Sequence, residues 1–175
     1  TKSVMQAWFT SGQYYKEFEE AISNKIGSKA RSLFVNSGSS ANLLALSTLC
    51  QRNMLEDLKL NYIKPGDEII TAAAGFPTTI NPIFQNNLKP VFVDINIENL
   101  NFDIDKIKKA FSKKTKAIML AHTLGNPFRV DLFRNFCDEN SIFLIEDTCD
   151  AFGSTINLAG KERLAGSFGD FSTLS

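Results

Sequence analysis

The stretch from Asn36 to Asn42 has the residue types and spacing of an anion-binding turn. It follows a short apolar run at 32–35 and precedes an apolar helical stretch at 43–49. A helix start offers unpaired backbone N–H groups and the positive end of the helix dipole, and small residues let a phosphate approach the backbone. Serine and asparagine are also preferred N-cap residues. The residues of this turn therefore leave two interpretations open, a phosphate site and a simple helix cap.

A carboxylate and an aromatic ring follow two other apolar segments. Asp147 comes directly after the segment 142–146, and Phe76 lies in the small-residue loop 73–79. A phosphorylated pyridine would use both, because an aromatic side chain stacks on the ring and a carboxylate keeps the ring nitrogen protonated. Phe76 is also one of 15 phenylalanines, so a core or lid role is open, and Asp147 could cap the next turn. We favour the cofactor role for Asp147, because a buried carboxylate needs a partner.

His122 is the only histidine of the chain and follows the apolar segment 115–121. A lone histidine near a strand end is more often structural than catalytic, so we interpret His122 as a residue lining the site and not as the base. Cys50 and Cys137 lie in helical patterns and are expected in the core. Three cysteines without a C-x-x-C motif indicate a reducing cytoplasm.

These residues need a scaffold in which helices and strands alternate. The segment 53–63 is ambiguous between helix and connector. Helical spacing predicts helices at 14–25, 39–52, 78–86, 104–111 and 130–140, and apolar runs predict strands at 32–35, 68–72, 89–94, 115–121 and 142–146. Continuously apolar strands are typical of a parallel sheet covered by helices on both faces. Ligands of such sheets bind at the carboxyl ends of the strands, where the candidate residues fall.

Composition excludes several classes of protein. The chain has 175 residues, 43% of them hydrophobic, which is enough for one sizeable core. Lys plus Arg balances Asp plus Glu, 19 against 19, so no basic field favours nucleic acid or an anionic membrane. No apolar run is long enough to span a bilayer. Both ends are abrupt, and we expect residues 1–175 to be part of a longer protein.

Short motifs occur along the whole chain in a specific order, although each is weak alone. They are Ser11-Gly12, Ser37-Gly38-Ser39-Ser40-Ala41, Pro65-Gly66-Asp67-Glu68, Lys114-Thr115-Lys116-Ala117, Gly125-Asn126-Pro127, Glu146-Asp147 and Gly169-Asp170. In order and spacing the chain resembles the DegT/DnrJ/EryC1/StrS family of pyridoxal-phosphate-dependent sugar aminotransferases and dehydratases. The loops 73–79, 121–128 and 146–151 are most similar to those of CDP-4-keto-6-deoxy-glucose 3-dehydratases. The resemblance implies an α/β fold, the fold type I of PLP-dependent transferases, with residues 1–175 as an incomplete cofactor-binding large domain.

The resemblance also assigns roles to individual residues. Ser39, Ser40 and Ser175, with Gly38 in the same turn, would bind the phosphate of pyridoxal or pyridoxamine 5′-phosphate (PLP or PMP). Phe76 would stack on the pyridine, and Asp147 would pair with its nitrogen. Residues expected to line the site or the substrate are Trp8, Gly12, His122, Asn126 and Asp150. Trp8 could equally be a packing residue.

Cys149 lies between two aspartates in the loop that follows the strand 142–146. Some of the similar 3-dehydratases carry a [2Fe–2S] cluster, and a cysteine in this loop resembles one of its ligands. Such a cluster needs about four cysteine ligands, so the others would lie outside this chain. An inert small side chain is the equally supported alternative.

The reaction depends on a residue expected just beyond Ser175. In the 3-dehydratases that residue is histidine and free PMP acts on a CDP-4-keto-6-deoxyhexose, whereas sugar aminotransferases use a Schiff-base lysine. A non-catalytic domain that keeps the phosphate turn is a third hypothesis. The resemblance implies deoxysugar, lipopolysaccharide or O-antigen biosynthesis, a nucleotide-sugar substrate, a cytoplasmic homodimer, and a separate flavin and iron–sulfur reductase. It implies neither nucleic acid nor membrane as a partner.

Overall fold

The computed structural model describes residues 2–7, 10, 12–27 and 31–175. The chain divides into two compact units, Thr1–Asn36 and Ser37–Ser175. None of the described helices is both long enough and apolar enough to cross a bilayer.

The described residues of the first unit contain two helices, and residues 32–35 do not form the predicted strand. The helices are α1 (Lys2–Met5) and α2 (Gln13–Ile26). The backbone N–H of Ser32 donates to Ser23 Oγ at 2.9 Å, and that of Phe34 donates to Glu19 Oε1 at 2.8 Å. The prediction of a strand was wrong, because side chains of α2 satisfy these donors in place of a neighbouring strand.

A five-stranded sheet forms the centre of the second unit, and all of its strands are parallel. Its strands are β1 (Glu68–Ala72), β2 (Lys89–Val93), β3 (Thr115–Ala121), β4 (Phe143–Asp147) and β7 (Phe171–Thr173), in the order β2-β1-β3-β4-β7. The helices are α3 (Gly38–Leu49), α4 (Arg52–Asp57), α5 (Pro77–Gln85), α6 (Ile104–Ala110) and α7 (Val130–Asn140). The predicted parallel sheet with helices on both faces is confirmed.

Side chains alternate between the two faces of the sheet, and each face has its own apolar cluster. On β4, Leu144 packs with α6 and α7, whereas Ile145 packs with α3 and α5. The period of two continues to the end of the strand. Glu146 therefore faces the α6–α7 side and Asp147 faces the α3–α5 side.

Two features differ from the predicted elements. The helix predicted over 39–52 ends at Leu49, and the separate short helix α4 occupies part of the ambiguous segment. An antiparallel hairpin of β5 (Thr155–Leu158) and β6 (Lys161–Leu164) was not predicted. Ile156 is the only buried residue of these two strands, so the hairpin lacks the apolar alternation by which strands are recognised.

Candidate functional site

The carboxyl ends of three neighbouring strands bring Asp147 to the middle of one edge of the sheet. In the strand register Ala121 lies beside Asp147, and Asp147 lies beside Thr173. Asp147 is the last residue of β4 and is only 5% exposed. Its carboxylate therefore lies at the strand ends, where ligands of parallel sheets bind.

The Asp147 carboxylate is held by neutral donors. Oδ2 accepts hydrogen bonds from Asn42 Nδ2 at 2.8 Å and from Thr79 Oγ1 at 2.7 Å, and Oδ1 accepts one from the Cys149 N–H at 3.1 Å. Among the described residues no lysine, arginine or histidine forms an ion pair with Asp147. A buried carboxylate of this kind is prepared for a cationic or N–H-bearing ligand.

Asn42 and Thr79 were not among the predicted site residues, although the sequence carries a signal for both. Asn42 lies on α3 at the helical spacing of Ala45, Leu46 and Leu49, which are the other buried residues of that helix. Thr79 shares the buried face of α5 with two apolar residues in the same way. A polar side chain on an otherwise apolar helix face needs a buried partner, and Asp147 is that partner here.

The first turn of α3 carries the predicted phosphate residues. Ser37 is the N-cap, and its Oγ accepts the N–H of Ser40 at 3.1 Å. The capping role thus belongs to Ser37, and Ser39 remains exposed. Both predicted interpretations of this turn are compatible with that geometry, since capping by Ser37 leaves the Ser39 hydroxyl and first-turn N–H groups for an anion.

Gly38 brings together two further candidate residues at this turn. A Cβ atom on Gly38 would lie 2.8 Å from Cys149 Sγ and 2.9 Å from Ser175 Cβ. The start of α3, the loop after β4 and the segment that follows β7 therefore converge at one point. No side chain larger than hydrogen fits at residue 38 without a shift of its neighbours.

Phe76 precedes α5 as its N-cap residue and is 70% exposed. An aromatic ring with that exposure is not part of the core, so the alternative of a core residue is wrong. Exposure is compatible with either stacking on a ligand or a lid.

Cys149 is half-buried beside Asp147, and its thiol is protonated at neutral pH. Burial and the Asp147 carboxylate raise the pKa of the thiol to about 12. The described residues contain no group of three or more His, Cys, Asp or Glu side chains that could hold a metal ion. Cys50 ends α3 at the opposite end from Gly38, and Cys137 is buried with α7 on the other face. These residues by themselves do not form a ligand set for a [2Fe–2S] cluster, and Cys149 as one ligand of a cluster completed outside this chain stays a prediction.

His122 lies on the other side of the sheet end from the Asp147 carboxylate. Its Nε2 is 2.9 Å from Glu146 Oε2, its ring stacks on Phe128 with centroids 4.3 Å apart, and it is fully buried. These contacts are those of a core histidine. The structure thus places His122 in the core, and its expected role as a residue lining the site stays a prediction.

The remaining candidate residues lie in loops, at the start of α2 or outside the described residues. Asn126 ends a 3₁₀ turn and donates from Nδ2 to the Asn99 carbonyl at 2.8 Å, and Asp150 is exposed in the loop after β4. Gly12 is the N-cap residue of α2 in the first unit. Trp8 lies outside the described residues.

Comparison with known proteins agrees with this arrangement. The model of the DegT/DnrJ/EryC1/StrS aminotransferase family matches residues 1–175. A dTDP-4-dehydro-2,6-dideoxy-D-glucose 3-dehydratase from Saccharopolyspora spinosa is 47% identical over 99% of this chain and 36% of its own length. The lipopolysaccharide biosynthesis protein RfbH from Salmonella typhimurium is 46% identical over 99% of this chain and 38% of its own length. The chain thus spans less than two fifths of the length of either relative.

A solved structure has the same fold. The E. coli GDP-4-keto-6-deoxy-D-mannose-3-dehydratase with bound hydrated PLP superposes with a TM-score of 0.83 at 36% identity. The superposition covers 96% of this chain and 40% of that one. The predicted fold class, that of PLP-dependent aminotransferases and dehydratases, is confirmed.

Proposed function

Because this chain belongs to the DegT/DnrJ/EryC1/StrS aminotransferase family, we propose that the protein is a PLP- or PMP-dependent nucleotide-sugar 3-dehydratase. Its substrate is a nucleotide-linked 4-keto-6-deoxyhexose, and its product enters dideoxysugar or lipopolysaccharide biosynthesis. Relatives and a solved structure named as sugar 3-dehydratases, at 36% to 47% identity, support this choice over a transaminase. The nucleotide, for which the loops resemble CDP-sugar enzymes, stays a prediction.

The observation that carries the proposal is the environment of Asp147. Asp147 is 5% exposed, and its carboxylate receives three hydrogen bonds from uncharged groups and has no cationic partner among the described residues. A protonated pyridine nitrogen would supply the missing positive partner. The start of α3, with Gly38, Ser39 and Ser40, lies on the same face of the sheet and would take the phosphate.

Each group of residues has a separate task in this proposal. When bound, the pyridine cofactor supplies an electron sink for the charge that develops beside the sugar C4 carbon. Asp147 would keep the ring nitrogen protonated, and Phe76 would stack on the ring. Ser39, Ser40 and Ser175 would hold the phosphate. In the dehydratase, the proton-transferring group would be the histidine expected after Ser175, which would also assist departure of the C3 hydroxyl.

We further propose a homodimer in the cytoplasm that passes its product to a separate flavin and iron–sulfur reductase. All three cysteines are free thiols, which fits a reducing compartment. The dimer and the reductase rest on the family resemblance. Light scattering of the full-length protein and product formation with and without an added electron donor test them separately.

The first experiment identifies the residue that follows the Ser175 segment in the full-length protein. Histidine there, with release of the cofactor on dialysis, supports the dehydratase. Lysine with a cofactor that borohydride fixes covalently would instead support the aminotransferase. Neither residue, with no turnover of any 4-keto-6-deoxyhexose nucleotide, would leave only a phosphate-binding domain.

The second experiment is Asp147→Asn in the full-length protein. We expect turnover to fall by about 100-fold or more, because the ring loses the charge that keeps its nitrogen protonated. Binding of the cofactor should fall much less, since the phosphate turn is unchanged. Near-normal turnover of this variant would refute the assignment.

A further inference from the structure

The Asp147 carboxylate is held mainly through one of its two oxygens. Oδ2 accepts hydrogen bonds from both Asn42 and Thr79, at 2.8 and 2.7 Å, whereas Oδ1 accepts only the longer bond from the Cys149 N–H at 3.1 Å. A carboxylate oxygen has two acceptor positions. Oδ2 is therefore fully occupied within the protein, and the other acceptor position of Oδ1 has only the weakly donating Cys149 thiol as a competitor among the described residues.

Asp147 determines which way the Asn42 amide points, because an ionised carboxylate only accepts hydrogen bonds. Nδ2 therefore faces Asp147, and Asn42 Oδ1 accepts a hydrogen bond from Thr173 Oγ1 at 2.6 Å. The reverse orientation would place two acceptor oxygens against each other. Asn42 is fully buried and Thr173 is 4% exposed, so water does not compete for these bonds. The relay from Thr173 through Asn42 to Asp147 has one direction.

The same helix connects this relay with the first turn at Gly38. Asn42 lies on α3 about one helical turn beyond Gly38–Ser40. An α-helix is stiff over one turn, so the position of the first turn and that of the Asn42 amide are set together. For a ligand that contacts both the first turn and Asp147, α3 thus supplies one contact directly and sets the other through Asn42, which bonds to the Asp147 carboxylate.

We propose that Asn42, supported by Thr173 and Thr79, is a positioning residue that occupies Oδ2 of Asp147 and presents Oδ1 to the ring nitrogen of the pyridine cofactor. The inference rests on the proposed function and extends it to residues that do not themselves touch the cofactor. Without the two donors, the carboxylate could rotate away from the ring, and the ring nitrogen would lose its proton more readily.

The test uses the full-length protein reconstituted with nitrogen-15-labelled PMP. The nitrogen-15 chemical shift of the ring reports whether its nitrogen is protonated, which a merely structural role of Asn42 would not change. The variants are Asn42→Leu and Thr79→Val, with Thr79→Ser as the matched variant that keeps the hydroxyl. Thr48→Val is the control on α3, because the Thr48 hydroxyl bonds only to the Leu44 carbonyl of its own helix.

We expect Asn42→Leu and Thr79→Val to move the ring titration to lower pH and to weaken PMP binding on the order of tenfold. Thr79→Ser and Thr48→Val should behave like the unaltered protein. Folded Asn42→Leu and Thr79→Val with unchanged titration would overturn the inference. If Asn42→Leu does not fold, comparison of Thr79→Val with Thr79→Ser tests the inference. Valine replaces the hydroxyl of Thr79 by a methyl group, whereas serine keeps the hydroxyl and lacks the methyl group.

Failure of the proposed function would give a different result. In that case the unaltered protein would show no protonated ring nitrogen, or Asp147→Asn would leave the titration unchanged. A shift caused by Asp147→Asn but by neither Asn42→Leu nor Thr79→Val would keep the function and remove only the positioning role.

Discussion

The last two residues of β4, Glu146 and Asp147, both carry carboxylates, which lie on opposite faces of the sheet and have different surroundings. Glu146 accepts the backbone N–H groups of Gly166 and Phe168, at 2.9 and 2.8 Å, that of Gly169, and a bond with the His122 imidazole. Asp147 is bound by two side chains and one backbone N–H. Both residues are buried, yet among the described residues only Asp147 has an acceptor position that no N–H or hydroxyl group occupies.

The difference shows how a buried carboxylate can serve structure or ligand binding. Backbone N–H groups of one loop cannot reorient singly, so Glu146 fixes the path of residues 166–169 that lead into β7. Side chains from separate helices can orient a carboxylate without using all its lone pairs. Glu146 therefore stabilises the loop 166–169, whereas Asp147 remains available to a ligand.

Among the variants that test the structural role of Glu146, Glu146→Ala is expected to have the largest effect. We expect it to lower the free energy of unfolding by about 4 kcal/mol, since three N–H groups and an imidazole lose their buried acceptor. Urea unfolding of the full-length protein measures this change. A loss of unfolding free energy no larger than that of an exposed control such as Glu56→Ala would mean that Glu146 does not stabilise the loop 166–169.

Gly169→Ala tests the same loop through its backbone. A Cβ atom there would lie 2.6 Å from the Phe171 carbonyl oxygen and 2.9 Å from that of Leu144, and neither can move alone. We expect a loss of about 2 kcal/mol in the free energy of unfolding. Gly75→Ala is the matched control, because its nearest contact would be an ordinary 3.5 Å to Ala72 Cβ. Equal stabilities of the two variants would contradict the close packing at Gly169.

The two amide variants, Glu146→Gln and Asp147→Asn, compare how much each carboxylate contributes to stability. Glu146→Gln should cost about 2 kcal/mol, because its NH₂ group must face a backbone N–H whichever way it turns. Asp147→Asn can keep its carbonyl at the Asn42 and Thr79 donors and loses only the long Cys149 bond, so about 1 kcal/mol is expected. Thermal unfolding in the absence of cofactor ranks the two. The reverse ranking would indicate that Asp147, not Glu146, secures the sheet end.

The smallest effect concerns the reactivity of Cys149. Burial and the negative Asp147 carboxylate raise the pKa of the thiol to about 12, so the thiolate is scarce at neutral pH. Removing that charge with Asp147→Asn lowers the pKa, and alkylation by iodoacetamide at a fixed alkaline pH should become faster. Cys50, with a pKa of about 11, is the internal reference in peptide mass spectra. Unchanged Cys149 labelling relative to Cys50 would show that Asp147 does not act on the thiol.

The sequence predicted most of the frame that holds these groups. The strand at 115–121 and the helix at 130–140 have the predicted bounds, and the family resemblance is confirmed. Apolar runs and helical spacing are local properties, which explains this agreement. The prediction failed at 32–35, where apolar residues form no strand because side chains of α2 take up the backbone donors.

By itself, the sequence determined the parallel α/β frame and placed Asp147 at a strand end, because both follow from local patterns and from the order of elements. Only the tertiary structure decided which donors meet Asp147. Asn42 lies 105 residues before it along the chain and Thr79 lies 68 residues before it. Such pairs depend on the strand order and on which helices cover each face, and no local pattern encodes their distance. The opposite roles of Glu146 and Asp147 arise in the same way, because adjacent residues of a strand face different layers.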